Sequence, residues 1–367
     1  MVGDAYRIRP YRPHDRAEFL SLYETVWGYR KGRDWFEWRF QANPYRDGVQ
    51  MIVAEADDEV VGVEPLLPFT LRVGDQRLAA YQPVDWLVHP DHRRQGLFTR
   101  MTERLLQYYA DDAALLFNFP NDALLPGLET FDWRVVGDYP TSYRVQNPGP
   151  LLTDSVGPTT ARTLDPVLSA ASVAVTHGLC LLDRLNAPST DDTVETHDSI
   201  PVETLERLYA SAPPAAIHVP RDDAYLDWRF DNPNWETTAY VATDDGTPTA
   251  SLVDATERRR GCTTTMILDV QPMTGDHPEA VERLLVRLLR DNRDADLVKA
   301  PGWFAPRLRR RYGFWHDSTI AASRIPSVSR IAVRPLPATD IDAWQVNGLS
   351  LTDRGNWRLA LADLDID

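Results

Sequence analysis

The stretch Val84-Asp85-Trp86-Leu87-Val88-His89-Pro90-Asp91-His92-Arg93-Arg94-Gln95-Gly96-Leu97-Phe98-Thr99 joins an apolar strand end to a helix start through a turn holding arginines and a glycine. Behind the turn, Phe98, Met101, Leu105 and Tyr109 recur at helical spacing, so the helix that opens here carries an apolar face. The first turn of such a helix has amides without intrahelical partners, and the helix dipole adds to their attraction for an anion. Gly96 removes the Cβ that would hold a phosphate away, and Arg93 and Arg94 add charge-assisted donors. The segment therefore reads as a cradle for a pyrophosphate, built largely of main chain.

A second signature follows. Leu115-Leu116-Phe117-Asn118-Phe119-Pro120-Asn121 reads as a buried strand with a turn, and Leu128-Glu129-Thr130-Phe131-Asp132-Trp133 as a short helix closing on an aromatic residue. The chain also repeats itself. Trp35-Phe36-Glu37-Trp38-Arg39-Phe40-Gln41-Ala42-Asn43-Pro44-Tyr45 is echoed by Tyr225-Leu226-Asp227-Trp228-Arg229-Phe230-Asp231-Asn232-Pro233-Asn234-Trp235. Leu22-Tyr23 and Leu208-Tyr209 precede the two copies, and Val53 to Asp58 and Val241 to Gly246, each a strand entering a hairpin, follow them. Each copy ends near a helix closing on aromatics, Phe131 to Trp133 and Tyr312 to Trp315. Between them, 148–196 is a connector whose middle, Ala161 to Asn186, has helical periodicity between Pro-, Ser- and Thr-rich edges.

The cradle segment resembles the coenzyme-binding motif of the GCN5-related N-acetyltransferases (GNAT superfamily), with Arg93 and Gly96 in the motif positions and Phe98 where the family has a small residue. The strand and helix at Leu115 to Trp133 are similar to the elements that follow in that family. The resemblance implies an α/β (α+β) fold of two tandem GNAT-like domains, each a mixed, mostly antiparallel twisted sheet flanked by helices. The expected divisions are 1–147 as the domain with the acyl-coenzyme A site, 148–196 as a helical linker, 197–326 as a degenerate second domain, and 327–367 as an appendage of short strands. Tandem folds with one working copy resemble mycothiol-synthase-type enzymes and, more loosely, peptidoglycan aminoacyl transferases; fold analogy does not choose the substrate.

The copies are chemically unequal. The strand Thr265 to Val270 leads into Gln271-Pro272-Met273-Thr274-Gly275-Asp276-His277-Pro278-Glu279, which has no arginine before its glycine and two acids after it. A pyrophosphate would meet negative charge there, so the second copy is expected to shape an acceptor pocket or brace the first. Arg307, Arg309, Arg310 and Arg311 read either as a site for an acidic acceptor or as a solvated helix face.

The resemblance implies acetyl-coenzyme A as acyl donor, no metal, and direct attack of a small-molecule amine on the thioester. Leu87, Val88, Arg93, Arg94, Gln95, Gly96, Leu97, Phe98, Thr99 and Asn121 are the expected cofactor-binding residues. The amide near Val88 is the expected donor to the developing oxyanion. An amine of pKa about 10 must lose a proton, so a carboxylate is useful. Asp85 is the first candidate base, or an acid pairing Arg93 or Arg94; Glu64 is the second, or an exposed hairpin acid. Asn121 reads as a pantetheine holder, a helix cap, or both. The family's general-acid tyrosine position is Leu128, and Arg309 in the second copy, leaving water, Tyr108, Tyr109 or Tyr139 as substitutes. The Trp-Arg-Phe elements occur in both copies and so read as packing, with Arg39 and Arg229 as braces.

Composition frames these readings. The 367 residues carry 54 acidic against 39 basic side chains, a net charge of −15, and all the basic residues but Lys31 and Lys299 are arginine. Such a surface suits a protein kept soluble in concentrated salt, as in a halophile; an acidic proteome from a high-GC genome is the other reading. It offers no basic patch for nucleic acid or an anionic membrane. Cys180 and Cys262 fall in different regions, so neither a disulfide framework nor a metal site is implied. A cytoplasmic monomer or homodimer is expected. Three functions remain open: N-acetyltransfer to an amino sugar, polyamine or aminoglycoside-like amine; a non-catalytic acyl-coenzyme A sensor; and a vestigial partner-binding protein.

Overall fold

Both hairpins that follow the repeated Trp-Arg-Phe elements turn through two residues with positive φ, Asp57 and Asp58 in the first and Asp245 and Gly246 in the second, the geometry that matches the twist of the flanking strands. The computed structural model describes residues 5–150, 158–186, 194–259, 261–317, 329–336, 338 and 340–366. The edges of the connector at 151–157 and 187–193, and the expected boundary at 326, lie outside the described residues.

The first copy runs β1 (Arg7–Pro10), α1 (Arg16–Trp27), α2 (Arg33–Phe36, continued by a wider turn over Glu37–Gln41), β2 (Met51–Ala56), β3 (Glu59–Val73), β4 (Gln76–Pro83), β5 (Leu87–Val88), α3 (Leu97–Tyr108), β6 (Leu115–Asn118), α4 (Leu125–Glu129) and β7 (Arg134–Tyr139). Next come β8 (Thr141–Val145) and the connector helix α5 (Pro158–Asn186). The second copy repeats the order as β9 (Val194–His197), α6 (Val202–Ser211), α7 (Asp223–Phe230), β10 (Glu236–Asp244), β11 (Thr247–Arg259), β12 (Cys262–Gln271), α8 (Pro278–Asp291), β13 (Leu297–Pro301), α9 (Pro306–Arg311) and β14 (Trp315–His316), followed by β15 (Ser329–Pro335).

The first sheet has the order β1-β2-β3-β4-β6-β15-β7 with β5 on β3, and the second β14-β8-β13-β12-β11-β10-β9. Neighbours are antiparallel except β4 with β6 and β12 with β13. The fold is thus α/β with two mixed, mostly antiparallel sheets flanked by helices. The copies exchange strands: β8 joins the second sheet between β13 and β14, while β15 joins the first between β6 and β7. The segment from 327 onward, expected as an appendage, therefore contributes a strand to the first sheet, and its later part fills the seam between the copies. Leu359, Ala360, Leu361 and Ala362 are fully buried, because the side chains of Tyr139, Trp303 and Arg229 donate to carbonyls of this irregular chain.

Three apolar cores result. One lies between the first sheet and α3, a second between the second sheet and α8, and a third fills the seam, drawing Phe19, Trp35, Tyr225, Trp228, Leu268 and Leu359 from both copies and the tail. At the seam's centre the repeat becomes a pseudo-two-fold contact. Trp38 Nε1 donates to Trp228 O at 2.7 Å, Trp228 Nε1 donates to Trp38 O at 2.9 Å, and the rings stack with centroids 6.1 Å apart. Arg229 lies over both rings and, as expected of a brace, donates to the tail carbonyls of Ala362 and Leu364.

Candidate active site

The site forms where β4 and β6 part. These parallel strands pair through Ala80 with Leu115 and Tyr81 with Leu116. Beyond that point β5 stays on β3, with Leu87 opposite Val63 and Val88 opposite Gly62, while β6 runs on along β15, which pairs with it from Leu115 to Asn118. A cleft between the strand ends follows, with α3 starting at its mouth.

On the β5 side, His89 gives its amide to Val61 O at 2.8 Å. Alternation along an extended strand then turns the Val88 amide away from β3, toward the cleft. The chain next passes a turn of 3-10 helix at Pro90–His92 and reaches Arg94 (φ 63) and Gly96 (φ 73). These left-handed conformations point the turn into the helix, whose first hydrogen bond runs from Arg100 N to Gly96 O at 3.1 Å. A Cβ on Gly96 would meet nothing within 4 Å, so open space lies beside Gly96 at the start of the helix.

The expected cofactor residues divide by what they can offer. Leu87 and Leu97 are buried and can give main chain alone. Arg94, Gln95, Gly96 and Thr99 are exposed at the mouth. The Arg93 side chain folds back, donating Nε to Val88 O at 3.2 Å, which braces the turn against the strand. Phe98 packs edge-on against Trp86 and Phe131, and Gly127 leaves room for its ring. A small residue in the family motif is thus replaced by an aromatic plug for which Gly127 makes space. Asn121 is exposed, and its Oδ1 accepts the Leu124 amide at 3.0 Å, holding the turn into α4. Tyr6 binds His92 at 3.1 Å and Arg100 donates to Tyr6 O at 2.8 Å, so the start of the chain steadies the cradle.

The two carboxylates have different settings. Glu64 is no exposed hairpin acid: it lies mid-strand on β3, 1% exposed, beneath α3. Burial pushes its pKa up to about 8, although the nearby Trp86 indole and the Thr102 hydroxyl, 3.2 Å from each carboxylate oxygen, favour the ionised form. Asp85 occupies the break between β4 and β5 with φ 45. It pairs at 3.1 Å with Arg39, whose side chain is 1% exposed and also meets Asp365 of the tail. Trp86, Thr102 and Arg39 are site neighbours that the motif does not reveal; only the repeated Trp-Arg-Phe element had marked Arg39.

Leu128 is fully buried in the core beneath α3, so the family's tyrosine position is apolar packing here. Tyr139 donates its hydroxyl to Leu359 O at 3.0 Å, and burial holds the phenols of Tyr109 and Tyr139 well above the usual range. Tyr108 is half exposed at the end of α3 and packs on Tyr109.

In the second copy, β12 and β13 part in the same manner, but α8 starts after Asp276 and His277, with Glu279 in its first turn. Arg309 there donates to Ser142 Oγ at 2.7 Å, while Arg307, Arg310 and Arg311 are exposed. Among the described residues no group of His, Cys, Asp or Glu could hold a metal ion, and no helix is long and apolar enough to cross a membrane.

Comparison with known proteins bears on the fold. Residues 7–136 match the model of the acetyltransferase (GNAT) domain. No curated protein matches the chain. Among solved structures, a GCN5-related N-acetyltransferase from Anabaena variabilis aligns over 90% of this chain and 73% of its own, at 12% identity and a TM-score of 0.59. A GCN5-related N-acetyltransferase from Kribbella flavida aligns over 91% and 72%, at 14% identity and 0.55. Eis1 from Mycobacterium abscessus aligns over 90% and 73%, at 14% identity and 0.52. At such identities the likeness speaks for fold: residues 7–136 match the GNAT acetyltransferase domain, and the chain shares the fold of these larger structures.

Proposed function

We propose that the chain is an acyl-coenzyme A dependent N-acetyltransferase that acetylates the amine of a small molecule and holds coenzyme A in its first copy alone. The observation that carries this reading is the open first turn of α3, reached through Arg94 and Gly96 in left-handed conformations, at the mouth of the β4/β6 cleft. Acetyl-coenzyme A fits with its pyrophosphate on the amides of Leu97 to Thr99 beside Arg94, and its pantetheine arm along Leu87 and Val88. The acidic start of α8 argues against a second such site.

In the reaction the acceptor nitrogen attacks the thioester carbonyl carbon. The C–N bond forms while the carbonyl oxygen takes up charge against the Val88 amide, and the C–S bond then breaks with release of the thiolate. Most of the rate comes from holding both reactants in one cleft. Of the two carboxylates, Glu64 suits the base, since burial sets its pKa near that of a group that exchanges protons at neutral pH. Asp85, held by Arg39, suits a positioning role at the strand break. A thiol of pKa about 8.5 leaves readily as thiolate, so the loss of the tyrosine at Leu128 is tolerable.

That same apolar Leu128 favours the second reading, a coenzyme A sensor without turnover. One experiment separates them: calorimetric titration of acetyl-coenzyme A, then thiol release followed with a chromogenic disulfide across a panel of amino sugars, polyamines and aminoglycosides. Saturable binding with amine-dependent thiol release supports the enzyme, and binding without release supports the sensor. Absence of binding at millimolar acetyl-coenzyme A, in both dilute buffer and molar KCl, overturns both.

A further inference from the structure

A partly open pocket lies away from the cradle, between the described part of α5, β8 and α8. Its volume is about 180 Å³, well above the ~15 Å³ that a single water needs. Arg144 from β8, Arg184 from α5, and Arg290 and Arg293 at the end of α8 converge on it, in a protein whose net charge is −15. Asp183 is the acid in the lining, and it is engaged: it accepts from Arg144 Nη1 and Nη2 at 2.8 and 2.7 Å.

Arg144 is 1% exposed, and its Nη1 also donates to Tyr312 O at 2.8 Å. Its Nε is buried and meets no acceptor among the described residues. A buried donor of this kind costs free energy until an acceptor arrives. Arg184 and Arg293 are exposed at the rim and form no ion pair among the described residues. Leu179, Val286 and Leu289 add apolar lining to the pocket. Guanidinium forks match the paired oxygens of carboxylate and phosphate groups, and the apolar lining suits a short hydrocarbon body.

We propose that this pocket is a second ligand site that binds a small polyanion, with oxyanion groups on Arg144, Arg184, Arg290 and Arg293 and a compact apolar body against Leu289. Occupancy ties the connector helix to the second sheet. The site is independent of the coenzyme A cradle, which lies in the other copy.

The pocket contains its own reporter. Cys180 lines it and is half-buried, while Cys262 lies at the start of β12 and serves as an internal control. The full chain is treated with N-ethylmaleimide in the presence of pyrophosphate, citrate, or KCl of matched ionic strength, without coenzyme A, and both cysteine peptides are followed by mass spectrometry. Binding slows Cys180 labelling about tenfold at ten times the dissociation constant and leaves Cys262 unchanged. Protection by pyrophosphate identifies a phosphate ligand, and protection by citrate a polycarboxylate. The exposed double variant Arg184→Glu/Arg293→Glu abolishes protection, whereas Gly96→Asp preserves it. Equal slowing of both cysteines, equal slowing by KCl, or none with either anion overturns the proposal.

Discussion

Replacing Glu64 with glutamine tests burial, pKa and mechanism together. In the fold this carboxyl titrates at about 8, against 4.5 when exposed, because it lies under α3 with the Thr102 hydroxyl as a close partner. The folded chain therefore keeps a proton that the unfolded chain has released, and stability falls as pH rises from 4.5 to 8, then levels. At about 1.4 kcal/mol per pH unit the loss reaches about 5 kcal/mol, an upper figure that any relaxation around Glu64 would reduce. Glutamine has the same shape, can accept the Thr102 hydroxyl and carries no charge. The parent and Glu64→Gln should thus unfold at similar temperatures at pH 5, while at pH 9 the variant should be more stable by up to about 6 °C for a chain of this length. Calorimetric scans at both pH values measure the difference, and comparison with the parent cancels other groups, including Asp254, whose buried carboxyl titrates at about 7. If the two melting curves shift in parallel from pH 5 to 9, Glu64 is not held protonated by burial. Transfer gives the second half of the test: the parent's kcat/KM should rise through pH 8, and Glu64→Gln should lose that limb and about 100-fold in rate. An unchanged profile would remove Glu64 as the base.

Gly96→Asp places a carboxylate about 4 Å from a bound pyrophosphate, which at an effective dielectric of ~20 costs about 4 kcal/mol, or roughly 1000-fold in affinity for acetyl-coenzyme A by calorimetry. The left-handed φ strains either substitution by about 1 kcal/mol, so Gly96→Ala, which adds that strain and a Cβ but no charge, should bind more weakly than the parent yet more tightly than Gly96→Asp; equal affinity of the aspartate variant and the parent refutes the cradle. Asp85→Asn removes one partner of the buried Arg39, leaving Asp365, and should lower stability by about 3 kcal/mol in denaturant titration. If it instead leaves stability intact and cuts transfer 100-fold, Asp85 is the base. Trp38→Ala deletes a stacked ring and one of two reciprocal hydrogen bonds at the seam and should cost about 4 kcal/mol; a loss under 1 kcal/mol would mean that the seam does not bind the copies together. A chain ended at residue 147 lacks β15, which pairs with both β6 and β7, and should show no cooperative unfolding; a truncated form that melts cooperatively and binds acetyl-coenzyme A would refute the dependence on exchanged strands.

The strand, turn and helix around Gly96 were legible because the pattern that sets them is local. A strand, a glycine and arginines at fixed spacing, then a helix, place main-chain donors within a few residues of one another, and the structure puts Gly96 at the helix start. The repeat was legible for a related reason: Trp38 and Trp228, 190 residues apart, meet each other, so one contact imposes the same requirement on both copies. The strand exchange was not legible. Alternation along Ser329–Pro335 or Thr141–Val145 reports which side chains face a core, and says nothing of which sheet supplies the partners. The tail from Leu359 has no period to read, since it is fixed by carbonyls accepting from distant side chains rather than by a regular ladder.

The carboxylates show where local reading ends. Glu64 sits in Val60-Val61-Gly62-Val63-Glu64-Pro65-Leu66-Leu67, apolar on both sides, and strand alternation places it on the face of Gly62, which touches Met101 of α3. That pattern already held the evidence for burial, but it could not supply Thr102 or Trp86, which come from α3 and the strand break. Asp85 reverses the case: its neighbours Val84 and Trp86 are apolar along the chain, whereas it pairs with Arg39, from the repeated element in the wider turn after α2. Two acids that look alike along the chain are thus separated by partners arriving from elsewhere in the fold. Glu64, without a cation beside it, is pushed up to about 8 by burial, while Asp85 is tied at the strand break to Arg39.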